Sequence, residues 1–562
     1  MKGQVNMRLV FQRLLLFLLL LLCACRAASQ AATLDGPFDV REATVDGIHN
    51  ALFTGLTTCR EIVSAYLARI EAFNPAINAI TALNTEALSV ADGIDLRISQ
   101  GNTTGSLLCT PVLVKDNYDA VPMNTTGSCL ALANNKPAED APTVKALKAA
   151  GAIILGKTNL HELALEGLSV SSLGGQTLNP YDQTRTPGGS SGGSGAAVAA
   201  NLAVFATGTD TVNSLRSPAA SNSLFSFRPT RGLISRAGVI PISFTQDAVG
   251  AMARTVRDLA LAMTVMAGVG YDPRDNTTAS VPPEVVGRDY VAALRGGPAL
   301  KGLRLGLIQV FFNNFTDSSE VTPVNEAMAS MVSRLEAAGV AVVNITEPVY
   351  NAAAISSMLD VQAYEYREQL NEYLAGSNLT GDKPANFEDL YTSDKFLVIP
   401  NQYSFVNSSL ASSTSNSSYF SAQRGIHNLA NALHKTFSTN KLDALIYPEQ
   451  KNLVVRTGSP SQSGRNGILA ALTGTPVVVV PAGFSAPTDD APIGVPVGME
   501  ILGLPWSEGR LLSIAQQISE LTPLRKMPVL TNGTVELTEY QSVPTVTPLA
   551  NIPAEYSVGK LI

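Results

Sequence analysis

The chain divides into two stretches that differ in the spacing of their apolar residues. From about residue 39 to 100 the apolar positions recur at helical spacing, and Ile62, Tyr66 and Ile70 fall on one face of a helix that segment 57–61 can cap. From residue 107 onward, short runs of Val, Ile and Leu without polar alternation are separated by helical stretches. Such runs are typical of strands covered on both faces, so the pattern predicts an α/β sheet with helices on both sides.

The same pattern locates individual elements. Strands are predicted at Leu107–Val114, Ala152–Leu155, Leu202–Thr207, Leu305–Val310, Ala444–Tyr447 and Val477–Val480, and a helix at Ala141–Ala150. Residues 376–424 are rich in Asn, Ser and Thr, and we expect them to form an exposed, loop-rich insertion. Because no internal repeat and no linker interrupts the pattern, a single large domain is expected.

The first residues have the pattern of a secretory signal peptide. Lys2, Arg8 and Arg13 precede an apolar run from Leu14 to Cys25, and small residues follow it, so the signal is expected to cover residues 1–28. The run is shorter than the ~20 residues that a transmembrane helix needs, although an uncleaved membrane anchor is the alternative. Sequons for N-glycosylation occur at Asn102, Asn124, Asn276, Asn314, Asn344, Asn378, Asn407, Asn416 and Asn532. We therefore expect a secreted, extracellular glycoprotein without stable membrane association.

Composition narrows the possible functions. Hydrophobic residues make up 45% of the chain and charged residues only 15%, which excludes a disordered, highly charged protein and a coiled coil. The formal net charge is −7, so no basic surface for a nucleic-acid backbone is expected. After removal of the signal, Cys59, Cys109 and Cys129 allow one disulfide. Cys109 and Cys129 bracket one short segment and are the predicted pair, with a buried free cysteine as the alternative.

The run Gly188–Gly195 is rich in Gly and Ser and contains Ser190. A flexible linker has the same composition, but this run leads directly into an Ala-rich helix and then a strand, where a helix N-terminus exposes backbone N–H groups. A phosphate-binding Walker motif requires a lysine that the run lacks. The run also matches G-x-S-x-G, but the preceding residues 174–187 are predicted to form a loop rather than the strand that a nucleophile elbow requires.

Histidine and metal chemistry find little support in the chain. His161-Glu162 begins like a zinc-protease helix, but Leu165 stands where the second histidine would be, and no other spacing predicts a metal site. A Ser-His-Asp triad stays possible, although no flanking motif nominates a histidine. A lysine can serve as the base when burial lowers its pKa, and Lys115 ends an apolar strand whose next residue, Asp116, points to the opposite face. A solvated strand end is the ordinary alternative for such a lysine.

A second serine segment, Gly208–Ala219, follows the predicted strand Leu202–Thr207. Its residues suit a tight turn at a sheet edge, where backbone N–H groups could converge on a developing oxyanion. A polar loop without function is the alternative.

Together these segments resemble the amidase signature family. The similar stretches are Val114–Asn117, Gly156–Glu162, Gly188–Gly195, Gly208–Arg216, Arg228–Gly232, Gln246–Asp258 and Leu472–Gly483. The resemblance covers most of residues 39–525 and weakens across about 290–440. It implies the family's fold, a large central mixed β-sheet covered by helices on both faces, in one domain at 39–530. Residues 290–440 would then be a divergent, loop-rich region on the substrate side, and 531–562 a C-terminal extension.

The resemblance also implies a Ser–Ser–Lys triad that needs no metal or cofactor. Position by position, Ser214 is similar to the nucleophile, Ser190 to the bridging serine, which follows a cis peptide bond at Gly189, and Lys115 to the base. The backbone N–H groups of residues 211–214, which are Thr211, Val212, Asn213 and Ser214, would form the oxyanion hole. Asp210 and Arg216 would support that turn as an ion pair or a hydrogen-bonded pair.

One departure from the family affects the oxyanion turn. Val212-Asn213 stands where the family usually has Gly-Gly, and a β-branched valine does not tolerate positive φ. The turn therefore differs, or its residues lie at negative φ. The expected function is hydrolysis of the C–N bond of a small-molecule carboxamide. Ester hydrolysis or acyl transfer on the same triad, and a catalytically weak binding protein that retains the fold, are the alternatives.

Overall fold

The computed structural model describes residues 38–530 and two short strands, Thr538–Tyr540 and Gly559–Leu561. The predicted signal peptide at 1–28, Asn532 and the rest of the expected extension lie outside the described residues. Within the part that is described, no helix combines the length and apolar character needed to cross a bilayer.

The strands are numbered in chain order. They are β1 (Ile80–Leu83), β2 (Thr110–Lys115), β3 (Lys136–Pro137), β4 (Ala152–Thr158), β5 (Phe205–Asp210), β6 (Phe225–Arg228), β7 (Ala248–Ala253), β8 (Arg304–Ile308), β9 (Ala341–Ile345), β10 (Leu379–Thr380), β11 (Ala444–Pro448), β12 (Val477–Phe484), β13 (Pro496–Leu502), β14 (Thr538–Tyr540) and β15 (Gly559–Leu561).

The α-helices are numbered in the same way. They are α1 (Val45–Phe53), α2 (Cys59–Ile77), α3 (Ala87–Ser99), α4 (Pro142–Ala149), α5 (Gly192–Ala199), α6 (Arg216–Ser221), α7 (Val256–Ala267), α8 (Tyr290–Gly296), α9 (Thr322–Ala337), α10 (Ala352–Leu359), α11 (Gln362–Leu374), α12 (Phe387–Tyr391), α13 (Tyr403–Ala411), α14 (Ser417–Asn440), α15 (Ile468–Thr473) and α16 (Glu508–Leu521).

An 11-stranded mixed sheet forms the centre of the fold, in the order β1-β4-β2-β5-β7-β6-β12-β13-β11-β8-β9. Strands β4, β2 and β5 are parallel to one another, the central strands from β5 to β11 pair antiparallel, and β11, β8 and β9 are again parallel. Every residue of β2, β4, β5 and β7 is buried, as expected for strands covered on both faces. The prediction of an α/β fold with a mixed sheet is confirmed.

The predicted strands correspond to β2, β4, β5, β8, β11 and β12, with ends displaced by a few residues. The displacement matters at β5, which continues to Asp210 because Thr209 and Asp210 pair with Val249 and Ala248 of β7. Residues 208–210, predicted to belong to a turn, are therefore strand. The Thr58 cap of α2 is confirmed, since its side chain and that of Glu61 form a reciprocal capping box.

The loop-rich character predicted for 376–424, and for 290–440 in general, is wrong. Residues 376–424 contain β10, α12, α13 and the first part of α14, and two strands of the central sheet lie between residues 304 and 345. The reason is packing. Phe387, Leu390 and Phe396 are buried with Leu163 and Ile240 in a second apolar cluster, so this polar-looking segment still has a core of its own.

The predicted Cys109–Cys129 disulfide is also wrong. Cys59, at the start of α2, is bonded to Cys109, just before β2, with their Cα atoms 5.7 Å apart. Cys129 is a buried free thiol in the second apolar cluster, where its Sγ contacts the carbonyl oxygen of Lys395. Proximity in sequence was misleading because the fold, rather than chain separation, brings two cysteines within bonding distance.

Candidate active site

Lys115 is the last residue of β2, and its side chain is completely buried. Its Nζ lies 2.8 Å from the Ser190 Oγ and 2.7 Å from the Thr209 Oγ1. The Lys115 backbone N–H donates to the Thr207 hydroxyl at 3.1 Å, so two residues of the adjacent parallel strand fix the lysine. The structure therefore brings Lys115 and Ser190, which are far apart in sequence, into direct contact.

The environment of Lys115 favours the neutral amine. Burial lowers the pKa of Lys115 to about 7, although the charges of Asp210 and Asp247 oppose the shift. The adjacent Asp116 does not compensate, because its carboxylate accepts from Lys157 Nζ at 2.8 Å instead. The alternation of side chains along β2 thus separates a neutral lysine from a paired one. The side chain is not a solvated strand end.

Ser190 lies in the turn that leads into α5, and the Gly189–Ser190 peptide bond is cis, as the resemblance implied. Close packing explains two of the glycines that follow. A Cβ on Gly192 would lie 2.0 Å from the Ser169 Oγ, and a Cβ on Gly193 would lie 2.3 Å from the Asn159 carbonyl oxygen. The carbonyl of Ser190 accepts from the His161 backbone N–H at 3.0 Å, so the main chain of a neighbouring loop holds the turn in place.

Ser214 lies in the turn between β5 and α6, with only 7% of its surface exposed. Its carbonyl accepts from the Ser191 backbone N–H at 3.3 Å, and the Ser191 hydroxyl donates to the Thr209 carbonyl at 3.2 Å. These bonds dock the two serine turns against each other. All three residues of the predicted triad thus belong to one connected group of side chains and turns.

The predicted oxyanion turn follows directly after β5. Neither Val212 nor Asn213 is among the described residues with positive φ, so the replacement of Gly-Gly needs no left-handed backbone here. The backbone N–H groups of residues 211–214 have no hydrogen-bond partner within the described chain. Consecutive N–H donors without partners are the arrangement that an oxyanion requires.

A buried network of charges lies beneath this turn. Asp210 pairs with Arg216 at 3.1 Å and with Arg228 at 2.8 Å, and Arg216 also pairs with Glu500 of β13 at 2.8 Å. Burial alone would raise the pKa of Asp210, but the two guanidinium groups outweigh it and lower the pKa to about 2. The Asp210 carboxylate also accepts from the Leu215 backbone N–H at 3.0 Å. The predicted Asp210–Arg216 pair is present and is part of a larger network.

Asn213 ties the turn to a further buried acid, Glu449. Its Nδ2 donates to Glu449 Oε1 at 3.2 Å, and Arg216 donates to the carbonyl oxygens of Val212 and Gly467. Burial, reinforced by the nearby charge of Glu500, raises the pKa of Glu449 to about 8, which keeps the acid mainly neutral at pH ~7. The side chain that replaces a family glycine is therefore used as an anchor.

Sequence reasoning missed several residues of this site. Thr207, Thr209, Arg228, Glu449 and Glu500 lie on strands of the sheet or just after one, and each contacts a predicted site residue or its turn. A lone charged residue in an otherwise apolar strand, such as Glu500 in β13, was the available signal, since an unpaired buried charge is costly. Among the described residues, no group of three or more His, Cys, Asp or Glu side chains could hold a metal ion.

Comparison with known proteins agrees with this geometry. The sequence model of the amidase family, described as "Amidase", matches residues 61–512. One relative is a component of the glutamyl-tRNA(Gln) amidotransferase of Pseudomonas aeruginosa, which is 32% identical over 496 residues, or 86% of this chain and 98% of that protein. The chain therefore belongs to the amidase signature family.

Solved structures give the same result. The peptide amidase of Stenotrophomonas maltophilia superimposes with a TM-score of 0.75 at 33% identity, covering 87% of this chain and 98% of that one. An amidase family protein from Bacillus anthracis superimposes with a TM-score of 0.74 at 28% identity, covering 88% of this chain and 93% of that one. The fold is that of the amidase signature enzymes.

The contact between Asn213 and Glu449 leads to a first prediction. Asn213→Ala removes the side-chain anchor of the turn and leaves Glu449 Oε1 without its donor, so we expect the free energy of unfolding to fall by about 1–2 kcal/mol. Because the turn loses an anchor, kcat for amide hydrolysis should fall about tenfold with little change in KM. Denaturant unfolding and steady-state kinetics measure the two effects.

Glu449→Gln is the matched control for this prediction. The glutamine keeps an acceptor oxygen for Asn213 and should stay close to the unmodified protein in both measurements. A Glu449→Gln variant as impaired as Asn213→Ala, or an Asn213→Ala variant with unchanged kinetics, would contradict the anchoring role.

Proposed function

We propose that this protein is a secreted serine hydrolase that cleaves the C–N bond of linear carboxamides through an acyl-enzyme on Ser214. The observation that supports the proposal most is the contact of 2.8 Å between Ser190 Oγ and the Nζ of a completely buried Lys115, whose pKa burial lowers to about 7. An amine that is half neutral near pH ~7 can accept a proton from a hydroxyl, whereas an ordinary surface lysine cannot.

The proposed reaction begins with proton transfer along the triad. Neutral Lys115 accepts a proton from Ser190 as Ser190 takes one from Ser214, and the Ser214 Oγ bonds to the amide carbonyl carbon. The N–H groups of residues 211–214 donate to the resulting oxyanion, each worth ~3–4 kcal/mol in comparable enzymes. The relay returns the proton to the departing nitrogen as the C–N bond breaks. Water then attacks the acyl-enzyme, and its proton returns through the same groups, which restores free Ser214.

The alternatives use the same residues. An ester would form the same acyl-enzyme, and an amine in place of water would make the reaction an acyl transfer. A catalytically weak binding protein would follow from a distorted oxyanion turn, but the negative φ of Val212 and Asn213 favours a working one. Among the relatives are a peptide amidase and a component of an amidotransferase, so peptide amides and simple acyl amides are the first substrates to assay. The proposed substrate is a small molecule rather than a nucleic acid.

A covalent probe tests the nucleophile. We expect a fluorophosphonate to label the folded protein once, at Ser214, and Ser214→Ala to abolish labelling and lower amide hydrolysis about 10⁴-fold or more. Mass spectrometry of the labelled peptide locates the adduct. Ser217→Ala, in α6, is a matched control, since its hydroxyl contacts Gln462 outside the triad. An intact protein that is not labelled, or is labelled elsewhere, would refute the proposal.

The titration of Lys115 predicts the pH dependence. The base must be neutral to act, and its pKa in the fold is lowered from 10.5 to about 7. The neutral fraction therefore falls as the pH drops below that value, so kcat/KM should decrease about tenfold per pH unit on the acid side and level off above it. Lys115→Ala should lower the rate by about 10²–10⁴ and remove this limb. A rate that is independent of pH between ~5 and ~7, or an unaffected variant, would argue against Lys115 as the base.

The secretory part of the proposal rests on separate observations. A disulfide such as Cys59–Cys109 forms and persists in oxidising compartments. The sequon asparagines 102, 276, 314, 344 and 416 are exposed, so their side chains are open to glycosylation. We expect the protein from its native host to begin near residue 29 and to lose mass on treatment with an N-glycosidase. Edman sequencing and intact-mass measurement test this, and an unprocessed, unglycosylated chain retained in cells would contradict secretion.

A further inference from the structure

A cleft of about 410 Å³ opens beside the catalytic group. Thr209 and Thr211 line it, and these residues connect it to the proposed site: the Thr209 hydroxyl contacts Lys115, and Thr211 supplies a backbone N–H of the oxyanion turn. The opposite part of the lining includes Asp119 and, from helix α11, Glu372 and Tyr373. The cleft therefore runs from the catalytic turn to residues that the reaction itself does not use.

Most charges along this cleft are already satisfied within the chain. Arg236 pairs with Asp275 at 2.8 Å, and Arg274 pairs with Asp272 at 3.1 Å and Glu139 at 3.0 Å. The carboxylate of Asp247 accepts from the Thr211 hydroxyl at 2.6 Å and from the backbone N–H groups of Ile242 and Ser243. No guanidinium of the lining is left over to bind an anion, so the cleft is a poor site for an acidic group.

Asp119 differs from these groups. Its side chain is 99% buried, since its exposed fraction is 1%, and one carboxylate oxygen accepts from the Tyr373 hydroxyl at 2.9 Å. The other oxygen, Oδ2, has no hydrogen-bond partner among the described residues. Burial raises the pKa of Asp119 to about 6, although Tyr373 and the charge of Lys157 act against the shift, so the group is mainly ionised at pH ~7. A buried carboxylate oxygen without a donor is costly unless a ligand supplies one.

Two further features define what the cleft can accept. Glu372 is exposed, and the described residues offer it no ion pair or hydrogen bond, so it adds a negative charge at the solvent side of the lining. Val239, Ile240 and Ile242 supply an apolar wall. An apolar wall beside unpaired carboxylates suits an aliphatic chain that ends in a cation.

We propose that this cleft is a substrate subsite in which Asp119 binds an ammonium group, so that the preferred substrates are amides bearing a protonated amine on an aliphatic chain. The inference rests on the proposed hydrolase function. An ammonium offers three N–H donors and one positive charge, which satisfies the free oxygen of Asp119 by a charge-assisted hydrogen bond. Glu372 would add longer-range attraction at the mouth of the cleft.

Matched substrates test this subsite. On the acyl side, aminohexanoyl p-nitroanilide is compared with heptanoyl p-nitroanilide, in which a methyl group replaces the terminal ammonium. On the amine side, mono-acetylated hexanediamine is compared with N-heptylacetamide. We expect kcat/KM to be at least tenfold higher for the cationic member of one pair, and the pair that shows it identifies which half of the substrate lies in the cleft. Equal or lower values for the cationic member in both pairs would overturn the inference, while hydrolysis of the neutral members would leave the proposed function standing.

Variants assign the preference to Asp119. Asp119→Asn should lower the ratio of cationic to neutral kcat/KM at least tenfold, and Glu372→Gln should lower it about twofold to threefold. Glu336→Gln, an exposed change of the same charge on α9, is the matched control and should keep the original ratio. If Asp119→Asn does not fold, the substrate pairs on the unmodified protein together with Glu372→Gln decide. A ratio that Asp119→Asn and Glu372→Gln leave unchanged would refute the assignment.

Binding separates this inference from catalysis. Calorimetric titration of the Ser214→Ala variant with aminohexanamide and with heptanamide requires no turnover. Tighter binding of the ammonium compound, weakened at least tenfold by adding Asp119→Asn, supports the subsite even if the proposed hydrolysis fails. No preference for the ammonium compound would overturn the subsite even if hydrolysis is observed.

Discussion

The burial of Lys115 is the constraint on which the rest of the site depends. A lysine at the end of a fully buried strand loses the hydration of its ammonium, and the neutral amine becomes accessible near pH ~7. This requires that nearby carboxylates be paired elsewhere. Asp116 is paired with Lys157, and Asp210 is held by Arg216 and Arg228, so neither forms a direct ion pair with Lys115. The charges around the site are therefore arranged to leave one amine uncompensated.

The same network of charges gives the oxyanion turn its shape. Asp210 ends β5, Arg216 begins α6, and their ion pair closes the turn that contains Ser214. Breaking one partner of a buried pair costs about 3–5 kcal/mol because the other charge stays buried, so the turn cannot be remodelled cheaply. This rigidity explains how Val212 and Asn213 can occupy positions where glycine is usual. Their backbone lies at negative φ, and Asn213 adds a contact to Glu449.

Much of the fold was predictable because apolar runs without alternation are strong signals for buried parallel strands. Three central strands escaped prediction for physical reasons. Strand β7 consists mainly of Ala, Gly and Met, β6 ends in the buried Arg228, and β13 contains the buried Glu500, so none has a continuous Val/Ile/Leu run. Residues 376–424 were mistaken for loop because their polar composition conceals the buried Phe387, Leu390 and Phe396. Pairing across the sheet, which is not visible locally, stabilises these segments.

The sequence by itself determined the α/β class, the family resemblance and the identities of Lys115, Ser190 and Ser214, because these depend on local patterns and on residue types. Only the tertiary structure decided which cysteines pair, how the oxyanion turn accommodates Val212-Asn213, and which buried acids hold it. It also placed Asp119 in a cleft beside Thr209, with one oxygen free. The physical reason is that pKa values, ion pairs and cavities arise from groups distant in sequence that share a poorly solvated interior, where each charge must find a partner in space.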